Sequence, residues 1–220
     1  MPHFTIHVVS DTVCPWCYVG KKNLDAAIAL YQAAHPDTAA TDTFSITWQP
    51  FMLNPHAPLP SIDKQAYYTQ RFGADRAQAM HARVARAGAA VGIAFRFGGR
   101  TGSSRDSHRL IQLGHKQGVQ TRVVEQLFAA YFEHEQDITA IEVLVGAGVR
   151  AGLDEREVRE WLETGSGGED VDREVEEARA RGVQGVPCFV VQGRYRVEGA
   201  GAPGQFLDVF EEIREQECRE

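Results

Sequence analysis

Long apolar runs, clustered basic charge and abundant cysteine are all missing from this sequence. No stretch approaches the roughly 20 apolar residues that span a bilayer, so we predict no membrane segment and no membrane partner. Acidic residues outnumber Lys and Arg by 30 to 23, and the net charge of -7 argues against a nucleic-acid partner, which needs a concentrated basic face. Four cysteines in 220 residues are too few for a scaffold held together by disulfides.

The amino terminus also lacks the features of a secretory leader. It has no basic region, no long apolar segment and no small-residue cleavage site, and residues 4–9 already show the pattern of a strand. We therefore expect a cytoplasmic protein. In such a reducing compartment, a closely spaced cysteine pair is more often catalytic or metal-binding than structural.

The two ends of the chain have the pattern of an α/β fold. At the start, strand patterns over residues 4–9 and 44–48 flank a helical pattern over residues 14–34, which predicts a parallel βαβ unit. At the other end, the pattern predicts a strand, its hairpin partner and a closing helix, over residues 186–191, 195–197 and 203–215.

Between these ends the pattern is helical. A proline cluster at residues 50–60 marks the boundary. Residues 93–97 fit either a short strand or a linker. We predict that residues 1–60 and 182–220 form one domain and that residues 61–181 form an inserted helical domain. Its seven candidate helices cover residues 61–72, 75–91, 104–117, 119–135, 139–151, 154–163 and 169–181.

Cys14 and Cys17 stand at the predicted start of the first helix, directly after a strand. Free backbone N–H groups and the helix dipole favour a thiolate at that position. The second cysteine, one turn further on, is within reach to resolve a mixed disulfide. The spacing therefore predicts Cys14 as the nucleophile and Cys17 as the resolving thiol. Pro15 fits the first turn because its missing N–H would be unpaired there.

The same pair also fits a structural role or half of a zinc site. Zinc needs two further ligands, preferably a second close pair, whereas Cys188 and Cys218 are each single. We therefore favour redox chemistry and predict no metal. Strand alternation places Cys188 in the core, away from the face used by Pro187.

Residues 10–20, with the sequence SDTVCPWCYVG, resemble the active-site segment of the DsbA family, and in particular its FrnE-like branch. Further resemblances follow in the same order at residues 50–55, 107–110, 127–132 and 182–191. The resemblance covers nearly the whole chain. It implies a thioredoxin-like fold with a large inserted helical domain and no bound cofactor.

The resemblance also implies where a substrate would bind. In thioredoxin-like folds a cis proline lies beside the cysteine pair and lets the preceding backbone pair with an extended substrate, and Val186-Pro187 matches it. Pro15 and Trp16 lie between the cysteines, so we expect them on a rim that faces the substrate. The resemblance places His108 near the cleft, although its apolar neighbours favour packing or capping.

We predict a thiol–disulfide oxidoreductase that acts on protein or small-molecule disulfides or dithiols, with glutathione among the candidates. Two alternatives stay open. Kappa-class glutathione transferases and 2-hydroxychromene-2-carboxylate isomerases resemble this architecture, but they typically carry serine at the position of Cys14. The other alternative is a chaperone-like binding module that uses the cleft beneath the helical block. The sequence does not indicate an oligomeric state.

Overall fold

The computed structural model describes residues 2–217, in which the longer strands lie near the two ends and helices predominate between them. A π-helix, Ala129–Glu133, continues the fifth α-helix without a break. In chain order, the strands and α-helices are β1 (His3–Ser10), α1 (Pro15–Ala34), β2 (Thr43–Pro50), β3 (Ile62–Asp63), α2 (Lys64–Phe72), α3 (Ala74–Ala90), β4 (Arg100–Thr101), α4 (Arg105–Lys116), α5 (Gln120–Phe128), α6 (Ile141–Ala151), α7 (Glu155–Glu163), α8 (Gly168–Ala180), β5 (Cys188–Val191), β6 (Tyr195–Glu198) and α9 (Pro203–Glu217).

The larger sheet brings the two ends of the chain together in the strand order β2-β1-β5-β6. β1 runs parallel to β2, with Phe4 opposite Phe44, and antiparallel to β5, with Val8 opposite Phe189. β5 and β6 form an antiparallel hairpin. The parallel βαβ unit and the closing hairpin that the sequence predicts are therefore both present.

Burial explains why β1 lies in the middle of this sheet. The alternate residues Phe4, Ile6 and Val8 are buried, as expected for a strand that presents one face to the core. The Phe4 ring stacks on Phe44 at a centroid distance of 4.7 Å and contacts Phe210 of α9 at 5.1 Å. The two ends of the chain therefore close on one aromatic core.

Helices α2 to α8 occupy the predicted positions between β2 and β5, with ends that differ by a few residues. The predicted helix over residues 119–135 is divided, because α-helical bonding ends at Phe128 and the wider π-helical turn follows. None of the helices within residues 2–217 has both the length and the apolar character needed to cross a bilayer.

A second sheet pairs β3 with β4 antiparallel, and its two-residue strands make up the strand content of residues 61–181. Residues 93–97 form a linker without regular structure. The fold is thus α/β with an inserted helical region, as predicted. The domain boundaries at residues 60 and 182 stay a prediction, since one apolar cluster runs from β1 and α1 into α4, α5 and α6.

Candidate active site

The two motif cysteines lie where the chain passes from β1 into α1. Cys14 is the N-cap residue of α1, and its backbone N–H donates to the Asp11 carbonyl at 3.0 Å. Cys17, one turn into the helix, donates its backbone N–H to the Cys14 carbonyl at 3.1 Å. Both are free thiols, and they lie close enough together for Cys14 to influence the ionisation of Cys17. The start of the helix therefore holds the two sulfurs side by side.

The two thiols have different surroundings. Cys14 is 3% exposed and lines a cavity, whereas Cys17 is 0% exposed and is not among the residues that line it. Burial raises the pKa of the Cys17 thiol well above its ordinary value, and the contact with Cys14 raises it further. Cys17 therefore keeps its proton at neutral pH, and only Cys14 is open to a molecule in the cavity.

The Val186–Pro187 peptide bond is cis and lies beside Cys14, as the resemblance implied. Cys14 Sγ lies 3.6 Å from the Val186 carbonyl oxygen in a weak S–H···O contact. Pro187 is buried, and its carbonyl accepts the Gly199 N–H at 2.8 Å. The backbone at Val186 is therefore held from behind while it faces the first cysteine.

A cavity of about 580 Å³ opens in front of Cys14, within the range of small-molecule sites. Pro15 and Trp16 line it beside Cys14, and residues of α2 and α3 supply a large part of the remaining lining. Trp16 is half-buried, and the Arg83 guanidinium lies 5.1 Å from the centre of its ring. Much of the remaining lining is aromatic or aliphatic and includes Leu53, Tyr67, Tyr68, Phe72, Met80, Phe97, Tyr131 and Phe132.

Tyr68 of α2 lines the same cavity as Cys14. Burial raises the pKa of Tyr68 to about 12, and negative charge on Cys14 contributes to the shift. The phenol therefore stays protonated at neutral pH. The cavity thus offers a neutral hydroxyl donor within electrostatic range of the first cysteine.

Asp11 is a buried carboxylate that the sequence reasoning missed. Its Oδ2 accepts the Leu53 N–H at 2.8 Å, and its Oδ1 accepts the Val13 N–H at 3.3 Å. His108 Nε2 lies 3.6 Å from Asp11 Oδ1 and donates to the Phe51 carbonyl at 3.1 Å. His108 is 3% exposed and is not among the residues that line the cavity. Its contacts hold the cysteine loop from behind, in keeping with a packing role.

Thr12 and Ser107 tie this loop to α4. Their hydroxyl oxygens are buried and lie 2.6 Å apart. Ser107 Oγ donates to the Ser104 carbonyl at 2.7 Å, so Thr12 supplies the proton between the two hydroxyls. In the sequence, residues 10–13 read as an ordinary polar turn. Nothing local shows that this turn is buried, because the element that covers it lies 95 residues further along the chain.

Cys188 follows Pro187 but belongs to a different environment from Cys14. It is 2% exposed, packs with Val9, and its Sγ accepts the Arg196 Nε–H at 3.2 Å. It lines a second cavity of about 260 Å³. Cys218 lies outside the described residues. Within residues 2–217 no group of three or more His, Cys, Asp or Glu side chains is placed to hold a metal ion.

The strand order, the cysteine pair at the start of α1 and the cis proline beside Cys14 define a thioredoxin-like protein with a thiol pair at the position of the thioredoxin-like active site. The chain belongs to the DSBA-like thioredoxin domain family, whose model matches residues 5–211. This confirms the relationship inferred from residues 10–20, and it supports a general thiol-oxidoreductase activity.

Solved structures extend the comparison. A probable DsbA oxidoreductase from Streptomyces coelicolor matches with a TM-score of 0.85 and 29% identity, over 96% of this chain and 90% of that one. The cytosolic disulfide reductase DsbM from Pseudomonas aeruginosa with GSH matches with a TM-score of 0.62 and 15% identity, over 98% and 100% of the two chains. A 2-hydroxychromene-2-carboxylate isomerase matches with a TM-score of 0.61 and 15% identity, over 98% and 96%. The last two show a shared fold alone. No curated protein matched the chain.

Proposed function

We propose that this protein is a cytoplasmic dithiol–disulfide oxidoreductase, with Cys14 as the nucleophile and Cys17 as the resolving thiol. The observation that carries the proposal is the placement of the two sulfurs. They lie near each other, yet only Cys14 lines the cavity, while the buried Cys17 thiol has a raised pKa. A substrate disulfide therefore meets Cys14 first, and the mixed disulfide that forms is within reach of Cys17.

The reaction balances as two successive exchanges. The Cys14 thiolate attacks one sulfur of the substrate disulfide, forms a mixed disulfide and releases the other sulfur as a thiolate. Cys17 gives its proton to that thiolate, and the resulting Cys17 thiolate attacks the Cys14 sulfur. The Cys14–Cys17 disulfide forms and the second substrate thiolate leaves. Two electrons have passed from the protein to the substrate, and the reverse sequence oxidises a dithiol.

The predicted substrate-binding residues receive separate roles in this proposal. The Val186 backbone, held by Pro187, pairs with the substrate beside the reacting sulfur. Pro15 and Trp16 form the rim over which the substrate enters. His108 positions the cysteine loop and makes no contact with the substrate. Glutathione stays a candidate partner, because a cytosolic disulfide reductase solved with GSH shares the fold.

The test maps the disulfide that the reduced protein forms. Reduced wild-type protein is mixed with hydroxyethyl disulfide, quenched in acid, alkylated and digested for mass spectrometry. We expect a Cys14–Cys17 disulfide, with Cys188 still alkylated, and the Cys188→Ser control should behave in the same way. A disulfide that includes Cys188, or no disulfide at all, would contradict the proposal. Ligand binding that survives replacement of both motif cysteines, without exchange, would favour the binding-module alternative.

A further inference from the structure

Five cationic side chains line the cavity in front of Cys14, namely Lys64, Arg71, Arg76, Arg83 and Arg96. Within residues 2–217 no carboxylate forms an ion pair with any of them. The acidic residue in the lining is Asp11, and its oxygens are engaged by backbone N–H groups. In a chain with a net charge of -7, this concentrates unneutralised positive charge at one site.

Several arginines elsewhere in the fold form close ion pairs, unlike the five cations of the cavity. Arg105, Arg109, Arg159 and Arg214 each lie 2.7 or 2.8 Å from a carboxylate oxygen. The ion pairs within residues 2–217 thus involve cations outside the cavity, and none involves the five cations that line it. Such a cavity attracts an anion into partly apolar surroundings, where its charge is screened less than in water.

Lys64 is the most deeply placed of the five. It is 4% exposed, its Nζ donates to the Tyr131 carbonyl at 3.1 Å, and Nζ lies 3.6 Å from the centre of the Tyr131 ring. Its backbone N–H donates to the Gly99 carbonyl at 3.0 Å, which fixes the start of α2. Burial lowers the pKa of Lys64 to about 8, so the amine is mostly protonated, and therefore positively charged, at pH 7.

A buried ammonium without a carboxylate partner is costly for a protein that does not use it. The ammonium carries three N–H donors, and the hydrogen bonds within residues 2–217 give it one acceptor. Glu135 and Asp137 act on it only through longer-range charge. Although the Tyr131 ring lies against one side of the ammonium, its donors are not all used by acceptors of the described residues, so it can donate to a group that enters the cavity.

We infer that the cavity selects small disulfides that carry carboxylates, and that Lys64 binds one of these carboxylates. The inference rests on the proposed disulfide exchange and adds the class of substrate to it. The exposed guanidinium groups of Arg76 and Arg96 attract the anion, and the aromatic lining packs against its alkyl segments. The cavity volume of about 580 Å³ suits a small molecule.

The first test uses three disulfides of equal length that differ in charge: dithiodipropionate, hydroxyethyl disulfide and cystamine. Each oxidises the reduced protein in a single turnover, and each rate constant is divided by that for free dithiothreitol. We expect the dianion to react at least about tenfold faster than the neutral disulfide, and the dication to be slowest. Equal normalised rates for the three would overturn the inference while leaving the proposed function in place.

Variants then identify the residues responsible for the preference for the dianion. Lys64→Met should lower the preference for the dianion about tenfold, because a charged hydrogen bond is lost. The same change at an exposed lysine outside the cavity, Lys116→Met, should leave the preference unaltered. The double variant Arg76→Gln and Arg96→Gln, changed only at exposed positions, should also lower it. If neither cavity variant differs from Lys116→Met, the inference fails.

A binding experiment separates this inference from the redox chemistry. Suberate is the sulfur-free analogue of dithiodipropionate, and hexamethylenediamine is that of cystamine. Calorimetry on the wild type should show binding of suberate and none of the diamine, and Lys64→Met should weaken suberate binding about tenfold. Suberate binding without any disulfide exchange would support the anion site and contradict the proposed function. Absence of suberate binding would contradict the inferred anion site.

Discussion

The two sides of the cavity owe their properties to different kinds of contact. On the cysteine side, the polar groups of the loop are satisfied within the protein, as in the bonds of Asp11 to Leu53 and of Thr12 to Ser107. On the helical side, α2 and α3 present Lys64, Arg71, Arg76 and Arg83, which form no ion pair with a carboxylate of residues 2–217. The cysteine side therefore has a fixed geometry, and under our proposal the helical side binds the substrate, so changes on the two sides should have different effects.

The largest expected effect comes from the reactive side. Cys14→Ser should lower disulfide turnover by at least about 10³-fold, because a serine hydroxyl is a weak nucleophile at neutral pH. Turnover is followed with hydroxyethyl disulfide as substrate and dithiothreitol as the electron donor. Cys188→Ser is the control and should retain wild-type turnover. Comparable losses in the two variants would remove the distinction between the reactive side and the rest of the fold.

A second change tests whether the cysteine loop depends on its buried carboxylate. Asp11→Ala should lower the free energy of unfolding by about 2–3 kcal/mol, because it leaves the N–H groups of Leu53 and Val13 without acceptors. Asp11→Asn keeps one acceptor oxygen and should therefore lower the free energy of unfolding by less than Asp11→Ala does. Urea denaturation measures both, with the exposed Asp208→Ala as a control expected within about 0.5 kcal/mol of wild type. A loss no larger than that of the control would contradict the account of this loop.

The helical side should respond in the opposite direction. Lys64→Met should raise the free energy of unfolding at pH 7 by about 1–3 kcal/mol, because it removes a buried charge at the expense of one hydrogen bond. Folding lowers the pKa of Lys64 from 10.5 to about 8, so the cost of the charge is fully present below pH 8. That cost falls as the folded state releases the proton between pH 8 and 10.5.

Denaturant unfolding at pH 7 and at pH 9.5 measures this difference. The gain from Lys64→Met should shrink at the higher pH, whereas Lys116→Met should show no gain at either pH. A destabilised Lys64→Met protein at pH 7 would show that the lysine is a structural residue. It would remove the contrast between the two sides of the cavity.

The smallest expected effect is that of salt. Raising ionic strength to about 0.15 M shortens the Debye length to about 8 Å and weakens attraction by the exposed arginines that line the cavity. The rate with dithiodipropionate should fall a few-fold, and that with hydroxyethyl disulfide should stay constant. Equal salt dependence for the two disulfides would show that the cations do not act on the substrate.

Much of the fold follows from the sequence because its signals are local. Period-two and helical patterns predict the two ends and the helices between them, and the cysteine spacing after a strand predicts the position of Cys14 at the start of α1. The π-helix at Ala129–Glu133 was missed, since its residues continue the helical pattern of α5. Hydrophobic periodicity does not distinguish an α-helix from one whose last turn widens into a π-helix.

The positive charge of the cavity could not be predicted from local sequence patterns. Lys64 and Arg96 belong to different segments, and only the tertiary fold brings them to one cavity with Cys14. In the sequence, Lys64 reads as an ordinary surface lysine at the start of a helix. Its burial depends on Tyr131, 67 residues away, whose ring and carbonyl it contacts. The charge of this cavity is therefore a property of the assembled fold.

The most direct test of the central claim is to identify the sulfur that carries the first covalent intermediate. The Cys17→Ser variant is reduced, mixed with dithiodipropionate, quenched in acid and digested for mass spectrometry. The account predicts a mixed disulfide on Cys14 alone, which accumulates because no resolving thiol follows it. An adduct on Cys188, or an unmodified Cys14 under conditions that oxidise the wild type, would contradict it.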